Sequence, residues 1–412
     1  MPYAPVTGFA DIPSNFTTDV WFDTYVGATA DCLDAVEQGP GGGVTGGEGK
    51  LRFLCGAQHL SYNDPILYPG QEGRAHLHHF FGNTLTDHNS TYNSLRTTGQ
   101  GSCAGGPLNR TGYWFPAMIK PAGPGFPVAK VVKPTWIEMY YQDNPHDLDD
   151  YTSTVPAYND YTTWRVTSYP NGLQMIFGWK MDMVSPQPPG NVWLRTHPDI
   201  LPLAIPYQGT LKALHSATLG LGPPSGTGHY DQINARISSL DCWDGVNLTT
   251  ANGRDHLKSG FQDGNSHYIC PKTHPYRIPQ LTVIISWSSN GPEDWKNWYL
   301  SVDRSMGMNL DGGHGFHTDW FGAWDSPTQD MWETNILGIG TTHAAGAWKT
   351  SVSGNLCTDD KLLDNAALLA ALPPTVSDGF GGGSVTVLEA NRYTDIPAAP
   401  GQKRLRLNLT AA

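Results

Sequence analysis

Two short segments of this 412-residue chain concentrate side chains able to do chemistry. The first, Asp64 to Asn83 (DPILYPGQEGRAHLHHFFGN), carries His76 and His78 two residues apart, beside an arginine, a third histidine and two phenylalanines. On extended backbone alternate side chains share a face, so the two imidazoles stand about 7 Å apart at Cα while His79 points the other way. That is near enough to converge on a metal or a substrate; the plainer alternative is a partly buried pair hydrogen-bonded to backbone. The second segment, Asp311 to Asp325 (DGGHGFHTDWFGAWD), repeats the spacing with His317 and Asp319, with His314 before them and Trp320 and Trp324 after. A carboxylate on the same face as an imidazole fixes its tautomer or shares its proton transfer. The alternative is a loop-capping Asp beside a core Trp.

A third segment runs from CWDGVNL at Cys242 through Asp255–His256 to HYICPKTHPYRIPQL at His267–Leu281. Asp244 precedes Gly245 and reads first as turn chemistry, second as a catalytic carboxylate. His274 and Arg277 flank the proline-rich approach to a strand and so stand at its mouth, where ligands are often met. A fourth segment, RTGYWFPAM at Arg110–Met118, and Tyr140–Tyr141 beyond it supply Tyr113, Trp114, Tyr140 and Tyr141, with Trp320 from the second segment. Flat aromatic rings stack on the apolar faces of sugars. In a β-sandwich most such rings are instead core.

The elements that must position these groups are strands. Lys130–Tyr141, Leu173–Trp179, Leu281–Trp287, Ser384–Glu389 and Arg404–Leu409 mix β-branched, aromatic and alternating residues between Gly, Pro or Asn. A single helix is expected, Asp359–Leu372, with acidic residues leading and Pro373 stopping it. Strands that do not alternate with helices point to an all-β, mainly antiparallel fold, a β-sandwich or jelly roll with long loops and one C-terminal helix. Glycine-rich stretches at Gly39–Gly49 and Gly379–Gly383, and LGPPSGTG at Leu221–Gly228, are loops and do not separate segments of different composition. A single domain over 1–412 is expected, with its motif core at 55–325 and a C-terminal helix and strands at 359–409.

Composition narrows the partners. A formal net charge of −12, only 15% charged residues and no run of Lys or Arg leave nothing to neutralise phosphates, which excludes nucleic acid and anionic membranes. No stretch approaches the roughly 20 apolar residues of a membrane-spanning helix, so no membrane insertion is expected. Six cysteines without a CxxC favour disulfides, Cys242 with Cys270 first and Cys55 with Cys103 second, although spacing leaves the connectivity open. Five N-x-S/T sequons, at Asn15, Asn89, Asn109, Asn247 and Asn408, accord with a secreted, extracellular chain.

The order DPILYPG, HLHHFFGN, GYWFPAM, Tyr140–Tyr141, YPNGLQMIFG, DCWDGVNL with Asp255–His256, CPKTHPYRIPQL and HTDWFGAW, spanning Cys55 to Asp325, resembles the DUF1996 family of secreted fungal and bacterial domains. The resemblance implies a secreted protein associated with cell walls or biomass and assigns no reaction. It places family motifs on His76, His78, Asp244, His256, His274, Arg277, His317 and Asp319. The chain departs from fungal members in having fewer cysteines near GSCAGG and in its C-terminal helix and tail.

Together these residues lead first to a secreted polysaccharide hydrolase or lyase acting on a cell-wall glycan, with proton transfer by His76, His78, His317, Asp319, His274 and Asp244. Arg277, His256, Tyr113, Trp114, Tyr140, Tyr141 and Trp320 would line its groove. A hydrolase usually pairs carboxylates about 5–10 Å apart, and Asp64, Asp244 and Asp325 are the partners available to Asp319. The second reading is a metal-dependent enzyme in which His76, His78 and His317, with Asp319, form a mixed N/O shell for zinc or copper. The third is a non-catalytic carbohydrate-binding module. All three depend on two histidine dyads, distant in the chain, meeting at one place.

Overall fold

The computed structural model describes residues 50–55, 57–99, 101–103, 109–123, 128–134, 136–142, 161–162, 168–179, 192–197, 210–219, 232–262, 268–305, 309–326, 329, 333 and 393–395. The expected helix at Asp359–Leu372, the strands at Ser384–Glu389 and Arg404–Leu409, Cys32, Cys357 and the sequons at Asn15 and Asn408 lie outside these residues.

Two five-stranded antiparallel sheets dominate. One has the order Lys50–Cys55, Trp136–Gln142, Gln280–Ser288, Gln232–Ser238, Val192–His197. The other has the order Ala57–Ser61, His78–Gly82, Gly112–Pro116, His317–Phe321, Gln174–Gly178 and carries the candidate site. Period-two patterning decides how they pack. Ile137, Met139 and Tyr141, with Leu281, Val283 and Ile285 and with Ile233, Ala235 and Ile237, form one inner face. Phe81, Tyr113, Phe115, Met175, Phe177 and Trp320 form the other, and all of them belong to one buried cluster. This is an all-β sandwich, as the sequence implies.

The expected strand Lys130–Tyr141 is two strands in different sheets. Lys130–Val132 pairs with Met118–Lys120 and Tyr393–Asp395, and Trp136–Gln142 enters the large sheet. Pro134, with no N–H to give to a ladder, stands at the break. Both favoured disulfides form: Cys242–Cys270 clips the third motif segment, and Cys55–Cys103 joins the first large sheet to the loop after Gly101. Among the described residues the helices are short, Tyr92–Thr97, Leu211–Thr218 and Pro292–Trp295, and none is long and apolar enough to cross a membrane.

The outer face of the site sheet is also apolar. Phe80, Trp114, Ile176 and Phe321 point away from the sandwich core and pack with Ile66, Leu95 and Ala323 into a second cluster, roofed by the loop after Tyr62 and by the Tyr92–Thr97 helix. His78 and His317 belong to this outer face by strand parity.

Candidate metal-binding site

Sheet register explains how the two dyads meet. His78 lies opposite Pro116, and the ladder that sets Asp319 opposite Trp114, carried two residues further along both strands, points His317 at Pro116 from the other side. The two histidines therefore flank one residue of the Gly112–Pro116 strand, on a shared face, about 10 Å apart across two strand spacings. His76 precedes the strand and extends its parity. The imidazole centroids lie 4.1 Å apart for His76 and His78, 5.1 Å for His76 and His317, and 6.1 Å for His78 and His317. One ligand nitrogen from each lies within 4.8 Å of the others, and all three residues are buried. His79, of opposite parity, turns inward and stacks on Phe115.

Backbone carbonyls fix two of the rings. Nδ1 of His78 lies 2.9 Å from the Asn63 carbonyl and Nδ1 of His317 lies 2.8 Å from the Gly315 carbonyl. A carbonyl only accepts, so in each ring Nδ1 carries the hydrogen and Nε2 presents its lone pair. Nε2 of His76 and Nε2 of His78 are buried with no hydrogen-bond partner. Both oxygens of Asp319 are in the same position. Leaving a buried polar atom unsatisfied costs about 1–3 kcal/mol, so four such atoms on neighbouring side chains are a feature that calls for a ligand.

The electrostatics agree. Burial holds the imidazoles of His76 and His317 well below the usual histidine range, each with a further push from a neighbouring ring, and lowers His78 to about 4 against the opposing effect of its hydrogen bond to the Asn63 carbonyl. All three are neutral ligands near pH 7. Burial pushes the Asp319 carboxyl well above the usual carboxylate range; Asp64 adds to this, and only Arg254 opposes it. Asp64, itself raised to about 6 by burial, accepts from the Ile66 and Leu67 amides through Oδ1. Asp319 Oδ2 is 3.6 Å from His317 Nε2, within ion-pair distance. With a neutral imidazole and a carboxyl that favours its proton, the contact is not an ion pair. The separation is instead close to the roughly 3.3 Å between two ligands that each stand 2.0–2.1 Å from one tetrahedral ion. The three nitrogens lie within 4.8 Å of one another, so their separations have to close by up to about 1.5 Å to reach such bonds.

The other expected site residues do not join this group. Asp244 accepts from the Val246 and Asn247 amides and the Asn247 side chain, the turn role that its place before Gly245 suggests. His256 Nε2 bonds the Gln174 carbonyl, and His274 Nε2 bonds the Asp255 carbonyl. Gln174 is at the opposite end of its strand from Gly178, the partner of His317, about 13 Å away by strand rise. Arg277 is buried opposite Cys242 on a small separate sheet. His314 sets its ring edge against Trp179. Of the carboxylates available to Asp319, only Asp64 is close; Asp325 pairs with Arg96 at 3.4 Å.

The expected aromatic groove is corrected as well. Tyr113, Trp114, Tyr141 and Trp320 are at most 1% exposed, so none offers a ring face to a sugar. The Tyr141 hydroxyl takes hydrogen bonds from the Trp320 and Trp324 indoles at 3.1 Å each and pairs with the Tyr113 hydroxyl at 2.7 Å, a polar knot inside the sandwich. Trp114 lies on the site's face but stacks on Phe80. Tyr140 is half-buried and donates to Glu138.

Two residues escaped sequence reasoning. Arg254 donates to the Gly178 and Trp179 carbonyls and places positive charge beside His317 and Asp319. Asp303 receives the Leu300 amide and two backbone amides, Gly313 and Gly315, of the turn before His317. The signal for the second was available: an Asp shortly before DGGHG, whose glycines let a backbone wrap closely around a carboxylate.

No curated protein and no solved structure matches this chain significantly. The sequence profile of a domain of unknown function, DUF1996, matches residues 64–324, which include all three imidazoles and Asp319. The chain therefore belongs to the DUF1996 family.

Proposed function

We propose that this protein is a metal-dependent enzyme that holds a divalent ion, zinc or copper, on His76, His78 and His317 with Asp319 alongside. The observation that carries the reading is the convergence of three buried, neutral imidazoles whose ligand nitrogens lie within 4.8 Å of one another, with Nε2 of His76 and of His78 and both oxygens of the adjacent Asp319 lacking hydrogen-bond partners. An all-nitrogen triad with a carboxylate suits zinc or copper, whereas calcium and magnesium take oxygen ligands. Such an ion supplies Lewis acidity and lowers the pKa of a bound water to about 7. The chain's own groups hold the rings of His78 and His317 in one tautomer, through the Asn63 and Gly315 carbonyls, and keep Asp319, whose burial favours the protonated form, beside His317.

Hydrolysis or elimination on a polysaccharide, by a secreted protein, is the substrate class we propose for this site. The two disulfides are compatible with an oxidising compartment. Metal-free acid–base cleavage by His317 and Asp319 has less support, because burial disfavours the charged forms of both groups, the imidazolium and the carboxylate. The test is metal content and product analysis. Untagged protein purified without chelator should carry close to one zinc or copper per chain; less than about 0.1 per chain, with none taken up on titration, overturns the metal reading. Polysaccharide digests with and without chelator, read by mass spectrometry, separate hydrolysis, which adds water, from elimination, which leaves an unsaturated end. A protein in which His76→Ala and His317→Ala leave glycan binding intact, with no product from any digest, is a binding module.

A further inference from the structure

We infer that Asp303 is a positioning residue for His317, acting through the turn Gly312–Gly315. The inference rests on the metal reading for its purpose, but its geometry stands on its own. The Asp303 carboxylate is fully buried and receives three backbone amides: Leu300 and Gly313 on Oδ2 at 2.7 and 2.8 Å, and Gly315 on Oδ1 at 2.7 Å. Its own backbone is tied to the far side of the same loop, where the Leu310 amide donates to the Asp303 carbonyl at 2.8 Å. Gly315, held by its N–H on Asp303, offers its carbonyl to His317 Nδ1. One residue, Gly315, separates the carboxylate from the carbonyl that sets the ring's tautomer.

The glycines are there because the wrap is tight. A Cβ on Gly312 would sit 1.7 Å from the Trp298 carbonyl oxygen, and one on Gly315 would sit 2.4 Å from Val302 and 3.1 Å from the Asp303 carboxylate; Gly313 has a φ of +87°. On the other side of the turn the Phe316 carbonyl receives the Trp179 amide at 3.0 Å, which leaves the loop little freedom to re-aim. A carboxylate suits this cradle better than an amide. Asn at 303 keeps one accepting oxygen and sets an NH₂ against at least one backbone N–H, two donors facing each other. Hydrogen-bond partners one step beyond a metal's ligands typically change affinity 10–100-fold; Asp303 lies one link further, so about tenfold is expected.

The experiment compares wild type with Asp303→Asn. Cobalt(II) affinity, followed by visible absorption, is expected to fall about tenfold. In metal-free protein the ¹⁵N shifts of His317 should move from a single Nδ1–H tautomer to a mixture of both. An Asp303→Asn protein that folds, binds cobalt as wild type does and keeps a single His317 tautomer overturns the inference. If the variant does not fold, hydrogen exchange on wild type decides: Gly313 and Gly315 amides should exchange slowly and together with the His317 Nδ1–H. Their exchange at open-turn rates, while the Thr318 and Trp320 amides stay protected, also overturns it. A wild type that takes up no cobalt at all refutes the metal reading instead, and the tautomer and exchange results still score Asp303.

Discussion

Replacing His78 with Asn, in chelator-treated protein, isolates what burial does to one imidazole. Asn can still donate to the Asn63 carbonyl, as Nδ1 of His78 does at 2.9 Å, but it does not titrate. Burial lowers His78 to about 4 in the folded chain, against about 6.5 when unfolded. Below pH 6.5 the unfolded chain therefore binds a proton that the folded one refuses, and stability is lost as pH falls toward 4. The term is nearly zero at pH 7.5 and reaches about 2 kcal/mol at pH 5, since each pKa unit is worth about 1.4 kcal/mol. Wild type carries opposing terms as well. Asp303 and Asp64, raised by burial to about 7 and about 6, penalise the folded state above those values and relax as pH falls through them. The informative quantity is thus the difference between wild type and variant. Urea unfolding at pH 7.5, 6.5, 5.5 and 5.0 should show His78→Asn gaining about 2 kcal/mol on wild type across the series. Parallel pH profiles for the two proteins would refute the claim that His78 stays neutral in the fold, and with it the claim that the triad keeps its ligands deprotonated in mild acid.

Three further outcomes are expected. Zinc at a free concentration of 100 times its dissociation constant should stabilise wild type by about 2.7 kcal/mol, a rise of roughly 5–10 °C in melting temperature; His76→Ala should abolish the rise, which calorimetry reads directly. Tyr141→Phe removes the shared partner of the Trp320 and Trp324 indoles and of Tyr113; it should cost roughly 2–4 kcal/mol of stability in denaturant unfolding and leave zinc affinity within about twofold, because it belongs to the facing sheet and packs against the side of the site sheet away from the imidazoles. The Cys242–Cys270 link closes 28 residues of sequence separation, and a Cys242→Ser, Cys270→Ser double variant should lose about 3–4 kcal/mol on a chain-entropy basis, with little change in cobalt spectrum.

What the sequence made legible was governed by periodicity. His76 with His78, and His317 with Asp319, could be placed on common faces because a strand alternates strictly, and turn chemistry at Asp244 could be read from its local neighbours, whereas the cysteine pairings were favoured by the sequence and fixed only by the fold. What it could not supply was which face. Tyr113 and Trp320 alternate with the site's own residues along the same strands, and only sheet-to-sheet packing decides that they turn into the sandwich while their neighbours turn out. An aromatic in a strand looks the same in either role. The link through Asp303 was hidden for a different reason, since its partners are backbone amides, and amides leave no trace in residue type except where they require glycine.

That distinction bears on why the site sits where it does. The inner face of the sheet is occupied by large apolar rings, and a cluster of polar nitrogens there would have to displace them at the cost of core packing. On the outer face, His78 and His317 occupy the edge of a smaller apolar patch whose roof is loop and short helix, where carbonyls such as those of Asn63 and Gly315 are free of sheet pairing and able to orient imidazoles. The strands fix the spacing of the ligands and the irregular segments fix their tautomers. If this division is right, substitutions in the two loops, Asn63–His76 and Asp303–Gly315, should change metal affinity more than they change global stability, whereas substitutions at Phe81 or Phe115 on the inner face should do the reverse.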